Sequence, residues 1–350
     1  MSTIWDSADF DDHEALHFFR DAEHGLTAII AIHSTVRGPA SGGTRYWHYA
    51  EHADAVTDAL RLSRGMSYKN AMAGLPSGGG KAVILAAADR QKSPAMIAAF
   101  ARAVDSLAGR YVTAQDVGMS QADMVAIGQT TAHVAGLPAT GSAAGGDPGP
   151  TTATGVYLGV LAAAREALGV DDLKGVHVAI QGLGSVGGGL ARQLAAAGAR
   201  LTVADVDAAR AQATGSALGA TIVPPDDIVS VEADILSPCA LGAILTPSTI
   251  AQLRVKAVAG GANNQLASPA DGDDLHARGI LYAPDYVINA GGIINVMVDH
   301  LQLGDAKEVN VRVAQIPDRL RAIWAQSKAS NIAPARIADA QARALIGRHD

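Results

Sequence analysis

The order of apolar and polar positions predicts a mixed α/β structure for the first part of the chain. Two apolar runs within residues 14–36 have the length and composition of β-strands, and Glu23–Gly25 between them predicts a turn. Ala55, Ala59 and Met66 recur at the spacing of one helix face. The predicted elements are these two strands, a glycine-bearing loop at Pro39–Arg45, a helix at His52–Met66, a strand at Ala82–Ala86, a helix at Pro94–Leu107 and a strand at Tyr111–Thr113.

The second part of the chain alternates short apolar runs with helical patterns, which is typical of a doubly wound parallel sheet. Its first helix is predicted at Thr151–Leu168 and closed by Gly169, and its last helices at about 306–327 and 334–346. The strands are predicted at Val176–Gln181, Leu201–Ala204, Ala220–Val223, Ala233–Leu236 and Ala257–Ala259.

A stretch rich in glycine, proline, alanine and serine, Gly136–Pro150, shows no periodicity and predicts a link between domains. The predicted fold class is therefore α/β with two domains and a cleft between them. An N-terminal α/β domain covers residues 1–145 and a C-terminal Rossmann domain covers 146–324. In this division the C-terminal helices, about 325–350, pack back on the first domain.

Composition excludes several classes of protein. The 350 residues are 49% hydrophobic but only 4% aromatic, and the net charge of −7 comes from interspersed acids and bases. No basic run predicts nucleic-acid binding, and no polybasic or amphipathic tail predicts a membrane surface. The acidic N-terminus is unlike a secretory leader. The chain has a single cysteine, Cys239, so no intrachain disulfide can form and a cytoplasmic location is expected. Cys239 lies in an apolar setting and is interpreted as a buried, inert thiol.

The stretch from Met66 to Ala82, MSYKNAMAGLPSGGGKA, carries two lysines around a glycine-rich run. Glycines let the backbone approach a ligand or another segment closely. Lys81 follows them on apolar flanks, where burial disfavours the charged form and allows a lysine to act as a base. Lys69 would then hold a substrate carboxylate. The alternative is a surface loop with two solvated lysines, and this stretch alone leaves both open.

Asp116 follows the predicted strand Tyr111–Thr113 after Ala114 and Gln115, and it lies two residues before Gly118. A carboxylate beside a desolvated lysine forms an acid–base pair whose titrations are coupled. An aspartate in an Asx turn is the alternative. The assignment of Asp116 as a catalytic group therefore depends on the lysine stretch.

A glycine fingerprint, GLGSVG, directly follows the strand Val176–Gln181 and opens a helix that runs to about Ala197. Gly182 would make the tight turn, Gly184 would admit a pyrophosphate, and Gly187 would let the helix pack on the strand. The helix N-terminus, with Ser185 and Val186, supplies amide donors for phosphates. Asp205, at the end of the next strand, would accept the ribose hydroxyls and repel a 2′-phosphate, so NAD is predicted rather than NADP.

Other polar positions are less decisive. The asparagines in GGANNQ, Gly260–Gln265, could bridge cofactor and substrate or could simply form a turn, and the backbone at Asn289–Gly292 could contact a nicotinamide. No HExxH motif, paired-cysteine set or cluster of His and Asp is present, so no catalytic metal is predicted. His33, on an apolar strand, is interpreted as a structural histidine.

Several longer motifs carry a resemblance to a known family: GGTRYW, LSRGMSYKNAMAGLPSGGGKAVI, YVTAQDVG, PCALGA, GGANNQL and YAPDYVINAGG. They resemble the amino-acid dehydrogenases, which include glutamate, leucine, valine and phenylalanine dehydrogenases. The motifs run in family order from about residue 25 to 300. The resemblance implies that an L-amino acid, NAD⁺ and water give a 2-oxo acid, ammonium and NADH.

The resemblance also implies residue roles. Lys81 would activate the attacking water, Asp116 would shuttle the proton of the amine, and Lys69 would bind the substrate carboxylate. The remaining substrate contacts implied are Ser41, Gly42, Gly43, Met66, Asn263, Ile293 and Val296. The cofactor contacts implied are Thr152, Gly182, Gly184, Ser185, Val186, Gly187, Asp205, Asn264 and Asn289.

Ser41 bears on which amino acid is used. In glutamate dehydrogenases this position is a lysine, so an acidic substrate would lose its counter-charge here. The stretch SYKNAMAGL most resembles the leucine and valine branch, in which position 41 is usually leucine. A serine is expected to enlarge the pocket end and make it more polar, which leaves phenylalanine, methionine or broad specificity as alternatives to branched-chain substrates.

Two further possibilities belong to other classes. A non-catalytic NAD-binding sensor would not need Lys69, Lys81 and Asp116, and a hydroxy-acid dehydrogenase would not depend on ammonium. The apolar N-terminal strand pair also predicts a covering partner subunit. Family members are oligomers, so a homo-oligomer is expected.

Overall fold

The computed structural model describes residues 3–88, 91–138, 143–240 and 242–348, and the chain forms two compact units. The first contains Met1–Asp147, Asn295–Glu308 and Ala342–Asp350, and the second contains Pro148–Ile294 and Val309–Gln341. This division differs from the domain prediction at the C-terminus, because most of the last helices pack within the second unit. Residues 139–142 of the predicted link, and Leu241 of the PCALGA motif, lie outside the described residues.

The first unit is built on a five-stranded sheet in the order β1-β2-β4-β3-β5. The antiparallel pair β1 and β2 confirms the predicted hairpin, whereas β3 runs parallel to both β4 and β5. The elements are β1 (Ala15–Asp21), β2 (Leu26–Ser34), β3 (Ala40–Trp47), α1 (His52–Met72), β4 (Gly78–Leu85), α2 (Pro94–Asp105), β5 (Tyr111–Gln115) and α3 (Gln121–Gly128).

Two predictions about glycine-rich segments were wrong. Pro39–Arg45, predicted as a loop, forms most of strand β3, and β4 begins at Gly78 rather than at Ala82. Glycine has low strand propensity, so these segments carry no local strand signal. Their glycines serve packing instead, since a Cβ added at Gly79 would lie 2.0 Å from the amide nitrogen of Ser67 on α1.

Helix α1 is longer than predicted and carries Lys69 in its last turn. The prediction ended it at Met66, but Gly74 is the first helix-stopping residue after that point. Helix α3 was not predicted. Its N-terminus is closed by a capping box between Ser120 and Asp123.

Polar side chains from both ends of the first unit meet at the amino end of β1. His33 is fully buried, with Nδ1 2.8 Å from Ser67 Oγ and Nε2 3.1 Å from an Asp11 carboxylate oxygen. Arg343 and Arg348, near the C-terminus, lie 3.1 Å from the carboxylate of Asp11. The structural role predicted for His33 is confirmed by these contacts.

His13 also belongs to this cluster, because its buried ring lies 4.7 Å from the ring of His33 between centroids. We expect the stability of the cluster to depend on pH through His13. Burial, with the nearby charges of His33 and Arg348, lowers the pKa of His13 to about 4, against about 6.5 for an unfolded chain. The unfolded chain therefore binds a proton first as the pH falls. About 3 kcal/mol of stability, present above pH 6.5, should be lost as the pH approaches 4.

Denaturant unfolding at pH 7.0, 5.5 and 4.5 tests this expectation. His13→Gln should flatten the loss of unfolding free energy, whereas the exposed His52→Gln should retain the wild-type slope. An unchanged slope in His13→Gln would contradict it.

The second unit is built on a six-stranded parallel sheet in the order β11-β10-β9-β6-β7-β8, which is the Rossmann order. Its strands are β6 (His177–Gln181), β7 (Arg200–Ala204), β8 (Thr221–Ile222), β9 (Ile235–Pro238), β10 (Ala257–Val258) and β11 (Leu281–Tyr282). Its helices begin with α4 (Gly149–Leu168), α5 (Ser185–Ala196), α6 (Ala208–Leu218), α7 (Pro247–Gln252), α8 (Pro269–Ala277) and α9 (Asp285–Ile288). The predicted doubly wound sheet is confirmed.

The C-terminal helices differ from their prediction in one respect. The helix predicted at about 306–327 is two helices, and Pro317 lies in the first turn of the second. Trp324 donates from Nε1 to the Tyr282 carbonyl oxygen at 2.8 Å, which ties this second helix to the Rossmann sheet. The helices are α10 (Gly291–His300), α11 (Ala306–Val313), α12 (Ile316–Ser330) and α13 (Pro334–Leu345). Within the described residues, none of the helices has the length and apolarity required to cross a membrane.

Candidate active site

The structure brings Lys81 and Asp116 into direct contact. Lys81 lies in the middle of β4, a strand buried along almost its whole length, and its side chain is 7% exposed. Asp116 directly follows β5, and its carboxylate forms an ion pair with Lys81 Nζ. The sequence-based prediction that this lysine is buried, and not in a surface loop, is confirmed.

Arg45 is a third member of this charged group. Its Nε lies 3.9 Å from Asp116 Oδ2, and its Nη1 donates to Asp58 at 2.6 Å. Burial would raise the pKa of Asp116, but the charges of Lys81 and Arg45 outweigh it, so this pKa lies below its usual value. Sequence reasoning missed Arg45, although it stands in the GGTRYW motif. The face to which the Arg45 side chain points depends on β3 being a strand, which the sequence did not predict.

The glycines of β3 allow this group to assemble. A Cβ at Gly43 would lie 2.7 Å from the Cβ of Asp116, and a Cβ at Gly42 would lie 1.8 Å from the carbonyl oxygen of Gly80. Real Cβ atoms do not tolerate such distances, so neither position accepts a side chain without moving a strand. Met66 of α1 also packs against Gly42, which brings the helix that carries Lys69 to the same region.

Ser41 is buried and hydrogen-bonded to polar side chains. Its Oγ lies 2.9 Å from Asn70 Nδ2 and 2.9 Å from Ser77 Oγ. Asn70 also donates to the Gly78 carbonyl oxygen at 2.5 Å. The serine therefore belongs to a hydrogen-bonded cluster between α1 and the two central strands. Whether it also touches a substrate stays a prediction.

We expect Ser41→Leu to destabilise the protein. The larger side chain must displace Asn70 and Ser77, and overpacking of this kind costs about 1–3 kcal/mol, to which a lost hydrogen bond adds about 1 kcal/mol. Ser41→Ala, the matched control, should lose only the hydrogen-bond contribution. Equal stability of the leucine variant and wild type would show that the side chain opens into empty space, as the sequence-based interpretation held.

In the second unit the glycine fingerprint has the expected geometry. Gly182 adopts a left-handed φ of 86°, and a Cβ at Gly187 would lie 1.9 Å from the Gly182 carbonyl oxygen. By contrast, a Cβ at Gly184 would meet no atom within 4 Å, so this glycine faces open space at the start of α5. Ser185 and Val186 form the first turn of α5, whose amides can receive a pyrophosphate.

Asp205 follows β7 beside this turn. Its carboxylate accepts from the backbone amide of Leu183 at 2.7 Å and from that of Asp207 at 2.8 Å. Burial would raise its pKa, but these amides and Arg210 outweigh it, so the pKa lies below its usual value. Asp205 is therefore a fixed, ionised acceptor at the position predicted for the adenosine ribose.

The asparagines near the carboxyl end of β10 form a local network. Asn289 donates from Nδ2 to Asn263 Oδ1 at 2.9 Å and to the Gly261 carbonyl oxygen at 3.2 Å. Its own Oδ1 is buried without a hydrogen-bond partner in the described part of the chain. An unsatisfied buried acceptor suits a ligand amide. Asn264 takes a left-handed φ of 51°, which supports the turn interpretation for that residue.

Three other predicted residues lie in helices or at their starts. Thr152, in the first turn of α4, donates to the Pro148 carbonyl oxygen at 2.8 Å. Ile293 belongs to the second unit and is half-buried, whereas Val296 belongs to the first and is buried near Gly136. Their contacts with substrate or cofactor stay predictions.

Cys239 is only partly buried and not fully buried as predicted, but desolvation of its thiol raises the pKa, which agrees with its interpretation as an inert residue. Its Sγ lies 3.5 Å from the amide nitrogen of Gly261. Across the described ranges, no group of three or more His, Cys, Asp or Glu side chains is placed to hold a metal ion.

Comparison with known proteins gives a family match in each unit. Residues 13–133 match the Glu/Leu/Phe/Val dehydrogenase dimerisation domain, and residues 205–344 match the Glutamate/Leucine/Phenylalanine/Valine dehydrogenase domain. The chain belongs to this dehydrogenase family. It is an NAD-dependent amino-acid dehydrogenase, so the predicted family, enzyme class and cofactor are confirmed.

Individual relatives cover nearly the whole chain. It is 48% identical over 336 residues to leucine dehydrogenase of Geobacillus stearothermophilus, covering 96% of this chain and 91% of that protein. It is 46% identical over 331 residues to valine dehydrogenase of Streptomyces albus, covering 93% and 90%. Among solved structures, L-tryptophan dehydrogenase from Nostoc punctiforme superimposes with a TM-score of 0.83 at 42% identity, covering 96% of each chain.

Proposed function

We propose that this dehydrogenase catalyses the reversible oxidative deamination of branched-chain L-amino acids to 2-oxo acids and ammonium. The observation that carries the proposal is the buried contact between Lys81 and Asp116 in a chain 48% identical to a leucine dehydrogenase. No lysine stands at position 41, where it could balance an acidic side chain, which argues against glutamate.

The residues of the first unit supply the acid–base chemistry. Lys69 binds the substrate carboxylate, and the amine form of Lys81 takes a proton from the water that attacks the imine. Asp116, ionised and held against Lys81, passes the proton to and from the substrate nitrogen. Because Lys81 must lose its proton to act, deamination should accelerate as the pH rises.

The second unit holds the cofactor. The amides at the start of α5 would receive the pyrophosphate, Asp205 would receive the adenosine ribose, and Asn289 would offer its unsatisfied Oδ1 to an amide group. The chemistry that bound NAD would supply is acceptance of a hydride from the substrate carbon. Holding the substrate and the cofactor in the orientation required for hydride transfer accounts for much of the rate enhancement of this reaction class.

A second candidate is a preference for bulkier side chains, including aromatic ones. Two observations favour it: Ser41 is smaller than the leucine usual in the leucine and valine branch, and an L-tryptophan dehydrogenase is among the relatives. A methylene changes selectivity by only about 1–3 kcal/mol, so broad specificity would also fit.

A substrate panel separates these candidates. NADH formation at alkaline pH would be followed with leucine, valine, isoleucine, methionine, phenylalanine, tryptophan and glutamate. Highest kcat/KM for the aliphatic substrates supports the proposal, and highest kcat/KM for an aromatic substrate supports the second candidate. No activity with any of them, in folded protein that binds NADH, would contradict both and favour a sensor.

We also propose a homo-oligomer located in the cytoplasm. The match of residues 13–133 to a dimerisation domain supports the first part, and Phe18, 65% exposed on the edge strand β1, offers an apolar contact. A chain with one cysteine suits a reducing compartment. Light scattering coupled to size exclusion would give the number of subunits.

A further inference from the structure

The carboxylate of Asp205 is almost completely covered. Its side chain is 4% exposed, and the group that covers it is the guanidinium of Arg210. Arg210 Nη1 lies 3.1 Å from Oδ1 and 3.2 Å from Oδ2 of Asp205. With the backbone amides of Leu183 and Asp207, the carboxylate accepts four hydrogen bonds. A carboxylate offers about four acceptor positions, so none is left for a ribose hydroxyl.

Arg210 is the part of this arrangement that can move. It stands in the first turn of α6 and its side chain is 45% exposed, whereas the two backbone amides are fixed by the fold. Its Nη2 lies 3.0 Å from a carboxylate oxygen of Asp207, which is itself 44% exposed. The guanidinium can therefore leave Asp205 and remain paired with Asp207.

We propose that Arg210 sets the discrimination between NAD and NADP at this site. The ribose hydroxyls of NAD take the acceptor positions that Arg210 vacates on Asp205. With NADP, the guanidinium instead pairs with the 2′-phosphate, for which its fork of donors is suited. This inference rests on the proposed assignment of Asp205 to the adenosine ribose.

The local charge gives the expected direction. Asp205, Asp207 and Arg210 together carry one net negative charge at neutral pH, so a 2′-phosphate is disfavoured and NAD is preferred. Removal of Arg210 leaves two carboxylates without this cation. The 2′-phosphate should then be repelled strongly, whereas ribose hydroxyls should reach Asp205 without having to displace Arg210.

Calorimetric binding to the full-length protein tests the proposal without turnover. The probes are ADP-ribose and its 2′-phosphate derivative, titrated into wild type, Arg210→Ala, Arg210→Lys and the control Arg254→Ala, an exposed arginine of the same unit. In Arg210→Ala the 2′-phosphate derivative should bind at least tenfold more weakly. ADP-ribose should bind as tightly as to wild type or more tightly, and Arg254→Ala should change neither affinity.

Charge and geometry can be separated in the same experiment. Arg210→Lys keeps the charge without the bidentate fork, so it should retain part of the affinity for the 2′-phosphate derivative. Raising the salt concentration should weaken that affinity in wild type more than in Arg210→Ala.

Four results would overturn the proposal. Equal losses of affinity for both probes in Arg210→Ala would show a structural effect. Unchanged affinities would show that Arg210 has no role in discriminating between the two cofactors. Binding of ADP-ribose but not of the 2′-phosphate derivative to wild type would show that Arg210 offers no phosphate contact. Failure of both probes to bind wild type would overturn the ribose site itself, and with it this inference.

Discussion

Replacing Lys81 by alanine is expected to lower kcat for leucine deamination roughly 10³-fold, because a positioned general base contributes about 10²–10⁴-fold. Lys81→Met should be as inactive, although it fills the buried space better. Asp116 keeps Arg45 at 3.9 Å in both variants, so the fold should persist. Stopped-flow or steady-state measurement of NADH formation gives the rates.

Controls for Lys81 follow from the same unit. Lys92 forms an ion pair with Asp123 and donates to the Gly118 carbonyl oxygen at 2.7 Å, so Lys92→Ala removes a lysine from an aspartate without touching the Lys81–Asp116 pair and should leave kcat near wild type. A small primary amine added to Lys81→Ala should restore part of the rate, but should not act on Lys81→Met, where the space is filled. Wild-type deamination by Lys81→Ala would disprove the proposed mechanism.

The second large effect is expected for Asp116→Asn. The substitution preserves shape and removes the charge and the proton-accepting oxygen, so kcat should fall about 10²–10³-fold. Because the pKa of Asp116 lies below its usual value, the wild-type carboxylate is ionised throughout pH 6–10. The variant should therefore lose activity at every pH in that range, while the alkaline rise persists.

The matched control is Asp123→Asn, which removes the carboxylate of the Lys92 pair. Asp123→Asn should lower the stability of the protein slightly and leave kcat nearly unchanged. A pH profile of kcat and of kcat/KM separates the outcomes. Wild-type kcat in Asp116→Asn, or loss of the alkaline rise alone, would contradict the assigned proton-transfer role.

The sequence alone was sufficient to predict the fold class of the second unit. Strongly apolar runs alternate there with helical patterns, and the fingerprint from Gly182 to Gly187 is a local motif whose function depends on backbone geometry. The spacing from that turn to Asp205 follows from the βαβ unit itself. Local patterns of this kind predict a doubly wound parallel sheet without information about distant contacts, whereas the strand order comes from the structure.

The strands and contacts of the first unit, which carries Lys81 and Asp116, became clear only from the tertiary structure. Glycine-rich segments around Gly42 and Gly79 lack strand propensity, and only pairing with neighbouring strands and packing on α1 makes them β3 and β4. The contact between Lys81 and Asp116 joins residues on different strands, so it depends on strand order and register. The family resemblance named the pair, but it could not supply Arg45 as their third partner.

Side-chain surroundings were decided entirely by the fold. The sequence predicted Ser41 at a pocket end, but only the structure shows that its hydrogen-bond partners Asn70 and Ser77 come from α1 and the segment before β4. Likewise, the sequence predicted Asp205 as a ribose acceptor, but only the structure shows that Arg210 covers it. Residue identity determined which chemistry is available to this protein, and packing between distant segments determined which groups are free to perform it, because burial and pairing depend on every neighbour in space.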